Sequence, residues 1–164
     1  MRDILRKTGV VSKVYFDHED VSVGVRLENN QEEILIINEL TRVYDNEKFE
    51  AIEITEIEVG HNVNIYYREN TPMMMSLPPK YVPELLIVDT NDDYIEHKFS
   101  YFDEDLVSAD NQIQISDGFL RLVESLEYRP LIKELLVNEE LLVFYKRATK
   151  SIPAQVYPIK VIIL

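Results

Sequence analysis

The sequence predicts a mainly β protein made of two tandem small β-barrel units of OB-like form, the second carrying short helical segments. Short stretches alternate apolar and polar residues, with turn-forming residues roughly every ten positions, the pattern of a small closed barrel. A proline-rich segment at Ser76, SLPPKYVPELLIV, recurs at Ser151 as SIPAQVYPIKVII. The chain has 164 residues, 46% of them hydrophobic, enough for one ordinary domain or two very small ones.

In the first unit Gly9 to Phe16, GVVSKVYF, alternates, and Val21 to Leu27, VSVGVRL, alternates again. A turn at Asn29-Asn30 leads to Glu33 to Ile37, EILII, so a meander of antiparallel strands is expected. Val63 to Tyr67 and Leu85 to Val88 add strands, the former reached through the tight Val59-Gly60-His61-Asn62. Pro78, Pro79 and Pro83 fix φ and lack the N–H that a ladder needs. The chain there is therefore extended but outside a central sheet position, and the last strand starts after Pro83. The same reasoning puts Pro153 and Pro158 ahead of a closing strand over Ile159 to Leu164. In the second unit Phe119, Leu122, Val123 and Leu126 have helical spacing behind Asp117-Gly118, and Pro130 opens a turn carrying Leu131, Leu135 and Leu136. The polar run from Asp89 to Asp93 marks the boundary, giving units 1–90 and 91–164.

The repeat has internal detail. An offset of 75 lays Ser76 on Ser151, Pro78 on Pro153, Pro83 on Pro158 and Ile87 on Ile162. Upstream the offset is 78, which sets Val59 to Tyr67 on Val137 to Tyr145 and Thr71 on Thr149. The difference is an insertion within Pro72-Met73-Met74-Met75 of the first copy. Looser correspondences set Arg42 to Asp45 on Arg121 to Glu124, and Tyr15-Phe16-Asp17 on Tyr101-Phe102-Asp103. Two copies of one unit predict tandem small domains or a pseudo-symmetric pair.

Tyr67, Thr71, Pro72, Met73, Ser76, Pro78, Pro79 and Tyr81, with Tyr145, Thr149, Ser151, Pro153 and Gln155 in the second copy, form a pattern. It resembles a module of Gram-positive, especially clostridial, proteins that occurs beside copper-amine-oxidase-N-terminal-like or S-layer-type domains. In that module a strand ending in Tyr leads through Thr-Pro or Thr-x-Ser and Pro-Pro-Gln to a final apolar strand. Lys80 replaces the Gln here and Ala154 the second Pro. The resemblance covers mainly the last third of each unit and implies small β-barrels of cell-envelope proteins. It carries no catalytic residue over.

Composition narrows the function. A net charge of −13 repels phosphate backbones, and the chain lacks the clustered Lys/Arg footprint of nucleic-acid binders, so no nucleic-acid partner is expected. Up to Thr90 there are 17 acids and 9 bases, and beyond it 13 and 8, so charge is expected to be spread without a basic arm. The absence of cysteine removes disulfides, thiolate metal sites and thiol nucleophiles. No apolar run is long enough to cross a bilayer, so no membrane insertion is expected. Met1 to Lys7 leads into no signal-peptide core, so the chain as given is expected to be cytoplasmic, with spore coat or cell envelope as the alternative.

The chemical constellations point to architecture. His18, His61 and His97 are far apart without metal-binding spacing, and surface histidines are expected. Asp89, Asn91 and Asp93 mimic the start of a calcium loop, but Tyr94 stands where glycine is needed and Ser100 where a bidentate Glu is needed, so a solvated linker is expected. Glu47, Glu50, Glu53, Glu56 and Glu58 interleave with Phe49, Ile52, Ile54 and Ile57, a solvated face beside a buried one. Ser76 and Ser151 lack a nucleophile elbow and are expected to satisfy backbone groups in the crossover.

No catalytic residue, cofactor or metal is therefore expected. The expected function is a noncatalytic structural or protein-interaction protein, in an envelope or spore-coat assembly, with a protein partner or self-association. Met73, Met74, Met75, Tyr81 and Tyr157 are its candidate surface. An apolar strand running to Leu164 must insert in a barrel or pair with a neighbour, which supports this reading. The alternative is a small-molecule or glycan-binding module stacking on Tyr66, Tyr67, Tyr81, Tyr145 and Tyr157.

Overall fold

A computed structural model describes residues 3–17, 20–90, 95–120 and 132–164. The chain is mainly β and divides into two compact units, residues 1–92 and 93–164.

The first unit contains β1 (Ile4–Asp17), β2 (Asp20–Leu27), β3 (Glu32–Ile37), β4 (Arg42–Asp45), a 3-10 turn (Ile54–Glu56), β5 (Asn62–Arg68), β6 (Lys80–Tyr81) and β7 (Leu85–Asp89). They form one sheet in the order β4-β7-β5-β1-β2-β3-β6. The fourteen-residue β1 serves two partners. Ile4 to Val10 pair with β5, while Gly9 to Asp17 pair with β2, with a bulge between Val11 and Lys13. A bulge increases local twist, which lets one long strand turn from one neighbour to the other. Strand period two then sends Val23 and Val25, Leu35 and Ile37, Val63 and Ile65, and Leu86 and Val88 into one core with Val11 and Val43. The meander and its Leu27–Gln31 turn follow the expected pattern, with Asn30 at φ 63°.

The two-sheet architecture includes one sheet curled into half a barrel. In the first unit β4 and β6 end the sheet, and among the described residues no ladder joins them, so closure is partial. Four residues of β4 and two of β6 offer little edge to pair, and the prolines around β6 contribute no ladder N–H.

The second unit contains β8 (Glu96–Phe102), β9 (Ile113–Ile115), a helical turn over 117–120, α1 (Ile132–Leu136), β10 (Glu139–Ala148) and β11 (Ala154–Ile163). Its sheet order is β8-β10-β11-β9, over a core of Phe102, Leu106, Ile113, Ile115, Leu120, Leu136, Leu141, Val143 and Val156. Of the two leucines expected together on the later helix, Leu136 faces this core and Leu135 faces solvent. Positions 121–131, which include Leu122, Val123, Leu126, Pro130 and Leu131 and the loose partner of Arg42 to Asp45, lie outside the described residues.

The two offsets reappear in the ladders. Val63 opposes Val88 and Ile65 opposes Leu86; shifted by 78 and 75 these become Leu141 opposite Ile163 and Val143 opposite Val161, both of which are paired. After each proline segment the chain runs parallel to an earlier strand, Tyr81 beside Leu35 and Val156 beside Ile115. The looser correspondence at Tyr15 is corrected. Ser100 opposes Leu141 as Gly9 opposes Val63, so Tyr101 occupies the place of Val10 rather than Tyr15. The cause is the extra length of β1, which continues past its bulge to pair with β2.

A second correction concerns β11, which begins at Ala154, ahead of Pro158. Pro158 is tolerated inside it because it lies opposite Tyr145 at a register shift, beyond the three residues that pair with β9.

Asp110 organises the turn before β9. Its Oδ1 accepts from Ser108 Oγ at 2.7 Å and from the Gln112 N–H at 3.1 Å, and Lys98 Nζ donates to Oδ2. Partial burial alone would raise this carboxyl; the hydrogen bonds from Lys98 and Ser108, with the Lys98 charge, outweigh it and hold the carboxyl below its usual range. A depressed folded-state value contributes stability above the unfolded carboxylate range that is lost as pH falls. Because the side chain is 42% exposed the contribution is screened. Asp110→Asn is expected to cost about 1 kcal/mol near neutral pH, with the gap to wild type closing below about pH 4. Urea denaturation at the two pH values checks this.

Candidate interaction surface

The residues of the repeated crossover are fixed by short polar contacts. Ser76 Oγ donates to the Pro78 carbonyl at 2.8 Å, and Ser151 Oγ donates to the Pro153 carbonyl at 2.9 Å. Thr71 Oγ1 accepts the Arg68 N–H and Thr149 Oγ1 accepts the Gln155 N–H. Both copies have cis peptides at the equivalent bond, Leu77-Pro78 and Ile152-Pro153. The serines thus serve backbone carbonyls, as the proline context predicts.

The five candidate surface residues separate. Met74 and Met75 are exposed beside the fully exposed Leu77, and Met74 is pinned by reciprocal backbone bonds with Lys80. Met73 instead packs against the core of the first unit. Tyr81 is corrected outright, being only 2% exposed. Strand period two turns its ring inward next to Leu35, where its hydroxyl donates to Glu33 Oε1 at 2.8 Å. Tyr157 is 54% exposed on β11.

Tyr81 belongs to a buried polar cluster that spans four strands. Lys7 Nζ on β1 contacts Glu33 Oε2 on β3 at 3.0 Å and lies over the rings of Tyr67 on β5 and Tyr81 on β6, at 4.9 and 5.6 Å. Burial pushes the Tyr81 phenol far above its ordinary value, and the hydrogen bond and charge of Glu33 push the same way. The cluster holds β1, β3 and β6 in place across the curl.

The histidines also divide. His61 Nδ1 accepts the Glu58 N–H at 3.1 Å in an exposed turn, whereas His97, expected at the surface, is buried in β8 with its ring edge-on to Phe144. Alternation along EHKFSYF puts it with Phe99 on the opposite face of β8 from the core residue Phe102, beside the equally buried Leu142 and Phe144 of β10. His18, Asn91 and Asp93 lie outside the described residues, while Asp89 Oδ1 accepts from Asn46 Nδ2 at 2.8 Å. Among the described residues no group of His, Asp and Glu is placed to hold a metal ion. Nor, among them, is any helix long and apolar enough to cross a membrane.

The hairpin β10–β11 has properties that counting charge by halves conceals. It opens with Glu139 and Glu140, and from Leu141 to Leu164 it carries Lys146, Arg147, Lys150 and Lys160 and no acid. Arg147, Ala148, Thr149, Gln155 and Tyr157 line a cavity of about 550 Å³. The Gln155 amide there is fixed on Gln114 Oε1 at 2.6 Å.

Among the described residues the outer edge of this hairpin is open beyond Val156. β9 pairs only with Ala154 to Val156. On the inner side the Leu164 N–H donates to the Glu140 carbonyl at 3.0 Å, so by period two Ile162 and Lys160 exchange bonds with Leu142 and Phe144. Val161 and Ile163 therefore turn their N–H and C=O groups outward, where among the described residues no strand pairs with them, and the register shift between Phe144 and Tyr145 interrupts the pattern at Ile159. The side chains of Ile159 and Ile163 are 44% and 48% exposed.

No protein-family model matches the chain, and no match is found among curated proteins.

Proposed function

We propose that the chain is a noncatalytic protein-interaction protein that engages another protein, or further copies of itself, through β11. The observation that carries this reading is the outward edge at Val161 and Ile163. An apolar strand edge with unpaired backbone groups is a template for pairing, and soluble proteins usually cover or charge it. The exposed Met74, Met75 and Leu77 form a second adaptable apolar contact. The test is light scattering from dilute to concentrated protein, together with affinity capture and crosslinking. A mass above 19.3 kDa or a stoichiometric partner is expected. A strict monomer that retains no partner overturns the reading.

A second reading, a glycan or small-molecule module, has the cavity beside Tyr157 in its favour. Against it, Tyr66 and Tyr81 are buried and present no stacking face.

A further inference from the structure

We infer that the cavity beside Tyr157 binds a small molecule that carries one carboxylate on a flat ring, an aromatic or sugar acid, with the carboxylate on Arg147 and the ring on Tyr157. This rests on the second reading above, gives it a ligand class, and is independent of the β11 edge.

The register builds the site. From Tyr145 to Ala148 β10 takes three steps while β11 takes two from Pro158 to Val156, so Lys146 and Arg147 stand against Tyr157 alone. A bulge of this kind re-aims a side chain, and here Arg147 lines the cavity together with Tyr157. Val156 belongs to the core, so its neighbours Gln155 and Tyr157 face away from it. A glycine seats the ring. A Cβ at Gly118 would collide with the Tyr157 hydroxyl, so the tip of the phenol lies where a glycine leaves it room, while Tyr157 as a whole stays exposed.

The polar groups set the chemistry of the ligand. Among the described residues the Arg147 guanidinium has no carboxylate and no hydrogen-bond acceptor, although the chain holds thirty acids; Lys146 beside it is already engaged. A guanidinium presents a planar fork that fits a carboxylate through two hydrogen bonds. No acid is among the described residues that line the cavity. Gln155 commits an amide proton to Gln114, and among the described residues its Oε1 accepts no bond, which leaves an acceptor for a ligand hydroxyl. A volume of about 550 Å³ admits a monocyclic acid. The net charge of −13 opposes anions in proportion to their own charge, which favours a single carboxylate over phosphate or a polyanion.

The test titrates the full chain with benzoate, glucuronate, their neutral counterparts benzyl alcohol and glucose, and inorganic phosphate, read by amide chemical-shift mapping at low salt. At least one acid is expected to shift the amides around Arg147 and Tyr157 saturably and to bind about tenfold or more tightly than its neutral counterpart. Benzoate alone identifies an aromatic acid, and glucuronate alone a sugar acid. Arg147→Gln is expected to remove the preference for the acid. Gly118→Ala, which displaces the ring, and Tyr157→Ala, which removes it, are expected to weaken the acid severalfold. All three positions are exposed, so circular dichroism is expected to stay unchanged. Equal binding of an acid and its neutral counterpart, indifference to Arg147→Gln, phosphate binding tighter than either acid, or no saturable shift below about 10 mM overturns the inference. Glucose or benzyl alcohol binding that depends on Tyr157 but not on Arg147 overturns this inference alone and leaves the second reading standing. Silence from every probe removes the support that the cavity lends to that reading as well.

Discussion

Glu33→Ala is expected to destabilise the protein by about 3 kcal/mol, because it strips a half-buried and a fully buried partner at once. The Lys7 ammonium loses its counter-charge, and the Tyr81 hydroxyl loses its acceptor. Lys7 retains the Tyr67 and Tyr81 rings and some solvent, its side chain being 27% exposed, which keeps the cost at the lower end of the range for a broken buried pair. The double variant Glu33→Ala with Tyr81→Phe is expected to cost less than the two single changes together, since it removes the orphaned hydroxyl as well. Denaturant unfolding of the four proteins measures the coupling. Additive costs would mean that the hydroxyl and the carboxylate do not act as a unit.

The pH dependence of Tyr81→Phe follows from the same contact. Near neutral pH the variant loses a hydrogen bond to a charged group, about 1.5 kcal/mol. Above pH ~10 the unfolded wild-type chain releases the phenolic proton while the folded chain keeps it, so the folded state binds more protons and stability falls as pH rises. The slope for one proton is about 1.4 kcal/mol per pH unit. Every other ionisable group is common to the two proteins, so the difference isolates Tyr81. The two stability curves are expected to cross about one unit above pH ~10. Parallel curves would mean that Tyr81 ionises in the folded state as it does in the unfolded one.

Much of the strand pattern was legible because alternation and proline geometry are local. GVVSKVYF, VSVGVRL and EILII lie within β1, β2 and β3, and the last strand of the first unit starts after Pro83. The two offsets read from Ser76 and Val59 reappear as ladder register. What failed was non-local. Tyr81 looks like a surface residue between prolines, and only the parallel contact with Leu35 turns it inward over Glu33. His97 sits among Glu96 and Lys98 in sequence, yet the pleat sends it to the other face. The β11 edge needed the sheet order before its outward groups could be assigned. Its charge was visible in the sequence, but averaging over whole units hid the four cations and no acid that follow the Glu139 and Glu140 at the start of β10.

Gly9→Ala is expected to cost about 3 kcal/mol, at the upper end for a single added methyl group. Gly9 lies where β1 is shared, opposite Val63 on one side and Leu27 on the other, so it cannot move away from either neighbour. A Cβ there would stand 2.3 Å from Val25 Cγ1 and 2.8 Å from the Arg26 carbonyl oxygen. The first contact involves a fully buried valine in a close-packed core, and the second is backbone. Relief requires opening the β1–β2 ladder. Gly118 is the contrasting case, since a Cβ would meet the tip of the exposed Tyr157 side chain, which can swing aside. Gly118→Ala is therefore expected to change stability by less than about 1 kcal/mol. Val25→Ala added to Gly9→Ala removes the clash with Cγ1 but leaves that with the carbonyl, so recovery is expected to be partial. Hydrogen exchange locates the effect: Gly9→Ala should strip protection from the amides between Gly9 and Asp17 and from β2. Uniform loss across β5 and β7 as well would mean that the curled sheet opens as one cooperative unit, and unchanged protection everywhere would contradict the steric argument itself.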